Sequence, residues 1–270
     1  MGTPIAPTVA RRPRNWIWAA LPIVLLAVGF FVAPALAPQG RAWTFVLAMG
    51  VLAAEFVVIG QLVNGRISGA FIDNRNLLSL SKLQAGAWTV VVLAAFATAA
   101  AYNVAAGKVD YSLLNVLRVQ IPSELLLAMG ISATSLVAAP SLLSIKSNEQ
   151  PVEHAALGAA NRTGRPVVPN GKLLTRPGPE DAAWEDLVTG EELGNAGTPD
   201  LAKIQQGLIT LILLGAYAGY VFQFFATTPG AVTALPTIDK SFVWLMGISH
   251  ASYLANKAAP HSSSKPDPAR

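Results

Sequence analysis

Long apolar stretches separated by short polar joints dominate the chain. Six windows hold the roughly 20 mostly apolar residues that a bilayer crossing requires: 16–36, 43–63, 88–107, 122–142, 207–227 and 235–255. The sixth is the weakest, since its unbroken apolar part starts only near Phe242. Trp16, Trp43 and Trp88 head three of the windows, where an interfacial aromatic belt places tryptophan. The pattern predicts an all-α fold, a polytopic membrane helix bundle of six transmembrane helices.

Part of this pattern occurs twice. Leu80-Ser-Lys-Leu-Gln-Ala-Gly-Ala-Trp-Thr89 is echoed by Leu201-Ala-Lys-Ile-Gln-Gln-Gly-Leu-Ile-Thr210, and Met129-Gly-Ile-Ser132 by Met246-Gly-Ile-Ser249. Ser68-Gly69 and Asn74 match Thr189-Gly190 and Asn195. Ser79 and Asp200 precede the two copies, and both residue types cap helix starts by accepting from backbone N–H groups. Each copy contains an even number of spans, so the expectation is two parallel helix-hairpin repeats related by an axis along the membrane normal.

These boundaries divide the chain into a cytoplasmic N-terminal segment (1–15), a transmembrane hairpin (16–63), a first repeat with its lead-in (64–143), a cytoplasmic linker (144–187), a second repeat (188–258) and a disordered tail (259–270). Lys146–Pro179 has prolines, glycines and few large apolar residues, and so reads as mobile. Residues 180–188 read as a short amphipathic helix that brings Trp184, Leu187 and Val188 onto one face. Arg11-Arg-Pro-Arg14, an apolar run and Ala33-Pro-Ala-Leu-Ala37 imitate a cleavable signal. The length of the run and the proline after Ala37 argue for retention as an anchor.

Charge supports this topology. Of 19 Lys and Arg residues, only Arg41, Lys108, Arg118 and Lys240 fall on outside loops when the N-terminus is cytoplasmic. The basic excess therefore reads as the positive-inside rule in a cell (inner/plasma) membrane, with both termini cytoplasmic, and not as a nucleic-acid surface. With no cysteine, disulfides and thiolate metal sites are excluded. No phosphate-binding loop, nucleophile elbow or His-Glu-x-x-His is present, so neither an enzyme nor a cofactor is expected.

The candidate chemistry is sparse. Glu55 lies mid-span, where an acidic group costs about 2.5–3.5 kcal/mol, and reads either as a proton or cation site or as a protonated acid bonding between helices. His250 stands where the first copy has Ala133, and could relay protons with Glu55 or simply bond a backbone carbonyl. Ser132 and Ser249 give the return helices a small, weakly polar face suited to close packing, or to lining a narrow hydrated path. Lys82 and Lys203 read as snorkelling anchors. Gln84 and Gln205 occupy matched positions and could bond across the repeats, or bind a lipid head group or an anion.

Two functions follow from this reading. One is an oligomeric ion or proton channel, or small transporter, with Glu55 and His250 beside a hydrated path. The other is a membrane anchor or scaffold whose segment 146–200 recruits a cytosolic protein through Trp184 and Leu187. The expected partners are the lipid bilayer, further copies of the chain and that cytosolic protein.

Overall fold

The computed structural model describes residues 16–37, 39–105, 118–150 and 154–261. The N-terminal segment with its arginines, the loop position Lys108 and tail residues 262–270 lie outside the described residues. The fold is mostly helical. A hairpin of α1 (Ile17–Leu36) and α2 (Arg41–Asn64) is followed by α3 (Leu80–Ala105), α4 (Ser123–Ser147), a short α5 (Ala155–Thr163), α6 (Leu201–Thr227) and α7 (Lys240–Ala258). Helices α1, α2, α3, α4 and α6 are long and apolar enough to cross a membrane. At 19 residues α7 spans about 28 Å, but Lys240, His250 and Lys257 dilute its apolar character, and it is not among them.

Both predicted helix starts are present. Asp200 accepts from the backbone N–H groups of Ala202 and Lys203 at 3.0 and 3.2 Å, and Ser79 Oγ accepts more weakly from Lys82 N at 3.4 Å. Asp239 caps α7 through Ser241 N. Helices α3 and α6 run away from this end of the molecule, and α4 and α7 return to it. These four pack together, with α3 most enclosed, and the α1–α2 hairpin lies against α3. At the far end, the Asn103 amide closes two hydrogen bonds of 2.8 Å with the backbone of Val232. Gln120 there pairs with Thr233 and Leu235.

The described part of the stretch read as a mobile linker is instead folded. Its residues and those that follow it to 200 form, with residues 65–79, a cap over the ends of α3, α4, α6 and α7. The cap contains α5, a hairpin of β1 (Val168–Asn170) and β2 (Leu173–Thr175), and 3-10 turns at Pro179–Asp181 and Trp184–Leu187. Leu77, Ala159, Leu174, Leu193 and Ala196 form one small core, and Ile72, Leu78 and Ala182 another. Each core draws on both segments, and neither segment alone has enough apolar residues to look folded. The expected amphipathic helix at 180–188 is two 3-10 turns, so the shared apolar face does not form. Trp184 is 60% exposed, while Leu187 packs against the Ile72–Leu78 cluster.

Candidate functional site

Where the four enclosed helices meet, their buried polar side chains form one network. The Gln84 amide nitrogen in α3 donates to Thr210 Oγ1 at 2.9 Å and to the Gln206 carbonyl at 3.3 Å, both in α6. Gln206 Nε2 donates back to Gln84 Oε1 at 3.0 Å and lies 3.1 Å from His250 Nδ1 in α7. Ser135 Oγ in α4 lies 2.6 Å from the same Nδ1. Polarity can be assigned through this chain. The Gln206 backbone carbonyl can only accept, which turns the Gln84 nitrogen towards it and the Gln84 oxygen towards Gln206. Gln206 must then present its nitrogen, so His250 Nδ1 is an acceptor and the neutral ring carries its proton on Nε2.

The network is incompletely satisfied. Gln206 Oε1, His250 Nε2, Ser132 Oγ and Ser249 Oγ are buried without a hydrogen-bond partner. Ser132 and Ser249 are 1% and 2% exposed. One helical turn farther from the cap, the seam gives way to Trp88, Leu213, Met246 and Ala128, all in the main apolar core. Towards the cap it continues through Tyr253, whose hydroxyl lies 3.2 Å from Ser81 Oγ.

The cap end carries a second cluster, centred on Glu191. Its Oε1 receives Lys203 Nζ at 2.7 Å and Lys257 Nζ at 2.6 Å, and its Oε2 receives Arg75 Nη2 at 2.6 Å. Glu192 takes Lys146 Nζ at 2.5 Å. Two adjacent carboxylates thus tie together the ends of α4, α6 and α7 and the segment leading into α3. Burial alone would push the Glu191 carboxyl up, but Lys203, Lys257 and Arg75 hold it well below the usual carboxylate range. Asp186, accepting from Ala183 N and Leu78 N, is shifted the other way, because burial outweighs its donors.

The sequence-derived candidates separate in this structure. His250, Gln84, Ser132 and Ser249 lie in the buried helix interfaces, and His250 and Gln84 belong to the network. Gln205 does not: it is exposed, and its neighbour Gln206 fills the place expected for it. Glu55 is half-buried on α2, with Oε2 shielded and unpartnered, outside the network that holds His250. Lys82 and Lys203 do not snorkel. Lys82 donates to the Ile72 carbonyl, and Lys203, 2% exposed, donates to the carbonyls of Asp186 and Thr189. Glu191 and Glu192 were missed, because adjacent acids in a polar stretch look like solvated surface. Among the described residues, no group of three or more His, Cys, Asp or Glu is placed to hold a metal ion.

Five membrane-length apolar helices define a multi-pass membrane protein. Comparison with protein-family models, curated proteins and solved structures finds no match to the chain, so its function is argued from the polar network and the cap.

Proposed function

We propose that this membrane protein moves protons or a small ion along the seam formed by Gln84, Gln206, His250 and Ser135. The observation that carries the reading is the set of four buried unpartnered polar atoms, Gln206 Oε1 and His250 Nε2 in the network and Ser132 Oγ and Ser249 Oγ farther along α4 and α7. Each such group costs about 1–3 kcal/mol, an expensive arrangement for a seam that only packs helices. Water, which both donates and accepts, would satisfy all four. The apolar layer beyond Ser132 and Ser249 favours a gated path over a permanently open pore.

His250 supplies the proton step. A proton entering at Nδ1 displaces the hydrogen bond from Ser135, whose hydroxyl turns to accept. The Gln206 amide rotates so that Oε1, otherwise unpartnered, faces the new N–H. The original proton then leaves from Nε2 to a water molecule entering the seam, so charge enters one side of the ring and exits the other.

In this reading α7 is the sixth span, and the α3–α4 and α6–α7 pairs descend from one duplicated hairpin. The basic excess supports a cytoplasmic cap and cytoplasmic termini in a cell-membrane protein. Further copies of the chain cover part of the apolar exterior.

Proteoliposomes under a pH gradient and a voltage test the proposal. Purified protein should dissipate the proton gradient, and His250→Ala and Gln206→Leu should each slow it at least tenfold. Glu55→Gln, outside the network, should stay near the parent rate. Silent liposomes under both gradients would overturn the transport reading. Exposed Trp184 favours a second reading, recruitment of a cytosolic protein by the cap, which requires capture that Trp184→Ala abolishes.

A further inference from the structure

We propose that the cavity between the cap and the ends of α3, α4 and α7 binds a phosphate-class anion, either as a phospholipid head group or free in solution. The site is distinct from the seam and does not rest on the transport reading. The cavity measures about 140 Å³, against about 30 Å³ for a liquid water, so it has room for a phosphate group.

Its walls are of two kinds. Arg75, Lys82 and Lys257 supply cationic groups, and Leu136, Ala139 and Pro140 of α4 form an apolar side. The Arg75 side chain is 9% exposed. Its Nε and Nη2 are taken by Asp73, and Nη2 also reaches Glu191, which leaves Nη1 as the buried, unpartnered corner of the guanidinium. Two protons of a fixed, planar donor group are therefore left without an acceptor in a side chain that lines the cavity.

Local charge points the same way. Asp73 and Glu191 are the carboxylates lining the cavity, and they face Arg75, Lys82, Lys257 and, behind Glu191, Lys203. The three cations and two carboxylates that line the cavity leave an excess of one positive charge, to which Lys203 adds from behind Glu191. Lys82 rests only on the Ile72 carbonyl at 2.7 Å, a neutral acceptor that leaves its charge uncompensated. A phosphate group, dianionic when free and singly charged in a phosphodiester lipid, offsets this excess wholly or in part and accepts from Lys82 Nζ beside the Arg75 guanidinium. The apolar side suits the glycerol end of a lipid.

Two binding measurements on the full chain in neutral detergent separate the sources. Calorimetric titration with inorganic phosphate reads the soluble ligand. Native mass spectrometry after incubation with phosphatidylglycerol or phosphatidylcholine reads the lipid. Saturable binding of phosphate at one per chain, or retention of one phosphatidylglycerol against little phosphatidylcholine, supports the site and identifies its source. Lys82→Gln should weaken that binding at least tenfold, while Lys82→Arg retains it. Arg165→Gln, which breaks only the exposed pair with Glu185, should leave it unchanged. The site is overturned if neither ligand binds saturably, or if Lys82→Gln and Arg165→Gln lose binding equally, which marks diffuse attraction to a basic protein.

Discussion

Gln206 and His250 share a hydrogen bond of 3.1 Å whose direction is set, through Gln84, by the backbone carbonyl of Gln206 itself. Gln84 reads that carbonyl, orients Gln206, and so selects the Nε2-protonated ring. ¹⁵N-histidine NMR on protein in micelles at neutral pH should therefore show His250 as a single neutral tautomer with Nε2 protonated. Gln84→Leu removes the acceptor that holds the Gln206 amide, frees it to turn over, and should yield a mixture of tautomers. A single unchanged tautomer in that variant would mean that Ser135 alone, 2.6 Å away, sets the ring.

Glu191 should be the most sensitive position in the cap. Removing its charge leaves Lys203 and Lys257 without a carboxylate and Arg75 with Asp73 alone, and uncompensated buried charge costs about 3–5 kcal/mol. Glu191→Gln should accordingly lower the unfolding midpoint far more than Lys257→Met, which leaves the carboxylate two partners. The pH dependence follows from the same pairs. The folded value lies below the ordinary 4.5, so this contribution is complete above that pH and is lost as pH falls through the folded value. Unfolding curves of the parent should be flat from pH 5 upward on this account and fall below it. Glu191→Gln should lack that acid-side loss.

Asn103 makes a corresponding closure at the opposite end. Its amide satisfies both the N–H and the C=O of Val232, which is 1% exposed. Asn103→Ala leaves two buried backbone groups without partners, at about 1–3 kcal/mol each. The loop from Thr228 to Asp239 should then exchange amide hydrogens faster while α3 and α6 stay protected, a pattern that hydrogen-exchange mass spectrometry resolves.

These relationships were unequally legible in the sequence. The helices follow from uninterrupted apolar length, and Ser79 and Asp200 marked two of their starts, because capping is a local event. Register around the helix axis is not local. Gln205 and Gln206 differ by about 100° on α6, and with apolar residues on every side nothing in the sequence says which one faces α3. The 121-residue echo aligned Gln84 with Gln205, whereas packing selected Gln206. The cap was hidden for another reason: Leu77-Leu78 and Leu173-Leu174 each look like a short apolar pair in a polar stretch until the fold brings them together. Glu55 was conspicuous because a buried carboxylate is costly, but its depth in the chain could not place it beside His250.

Gly60 and Gly69 test how closely α2 must approach the cap. A Cβ on Gly60 would lie 2.7 Å from Ala70 N and 2.9 Å from Gly69 N, both backbone atoms that cannot swing aside. Gly69 in turn has no room for a Cβ against the Gly60 carbonyl. This contact fixes the turn that carries Phe71 onto Phe56, whose rings stack 5.6 Å apart. Gly60→Ala should cost about 1–3 kcal/mol through overpacking. Gly50→Ala on the same helix meets no atom within 4 Å and should be neutral or slightly stabilising through its gain in helix propensity. Thermal unfolding of the two single variants in one detergent makes the comparison, and equal midpoints would show that the α2–cap contact yields to a methyl group.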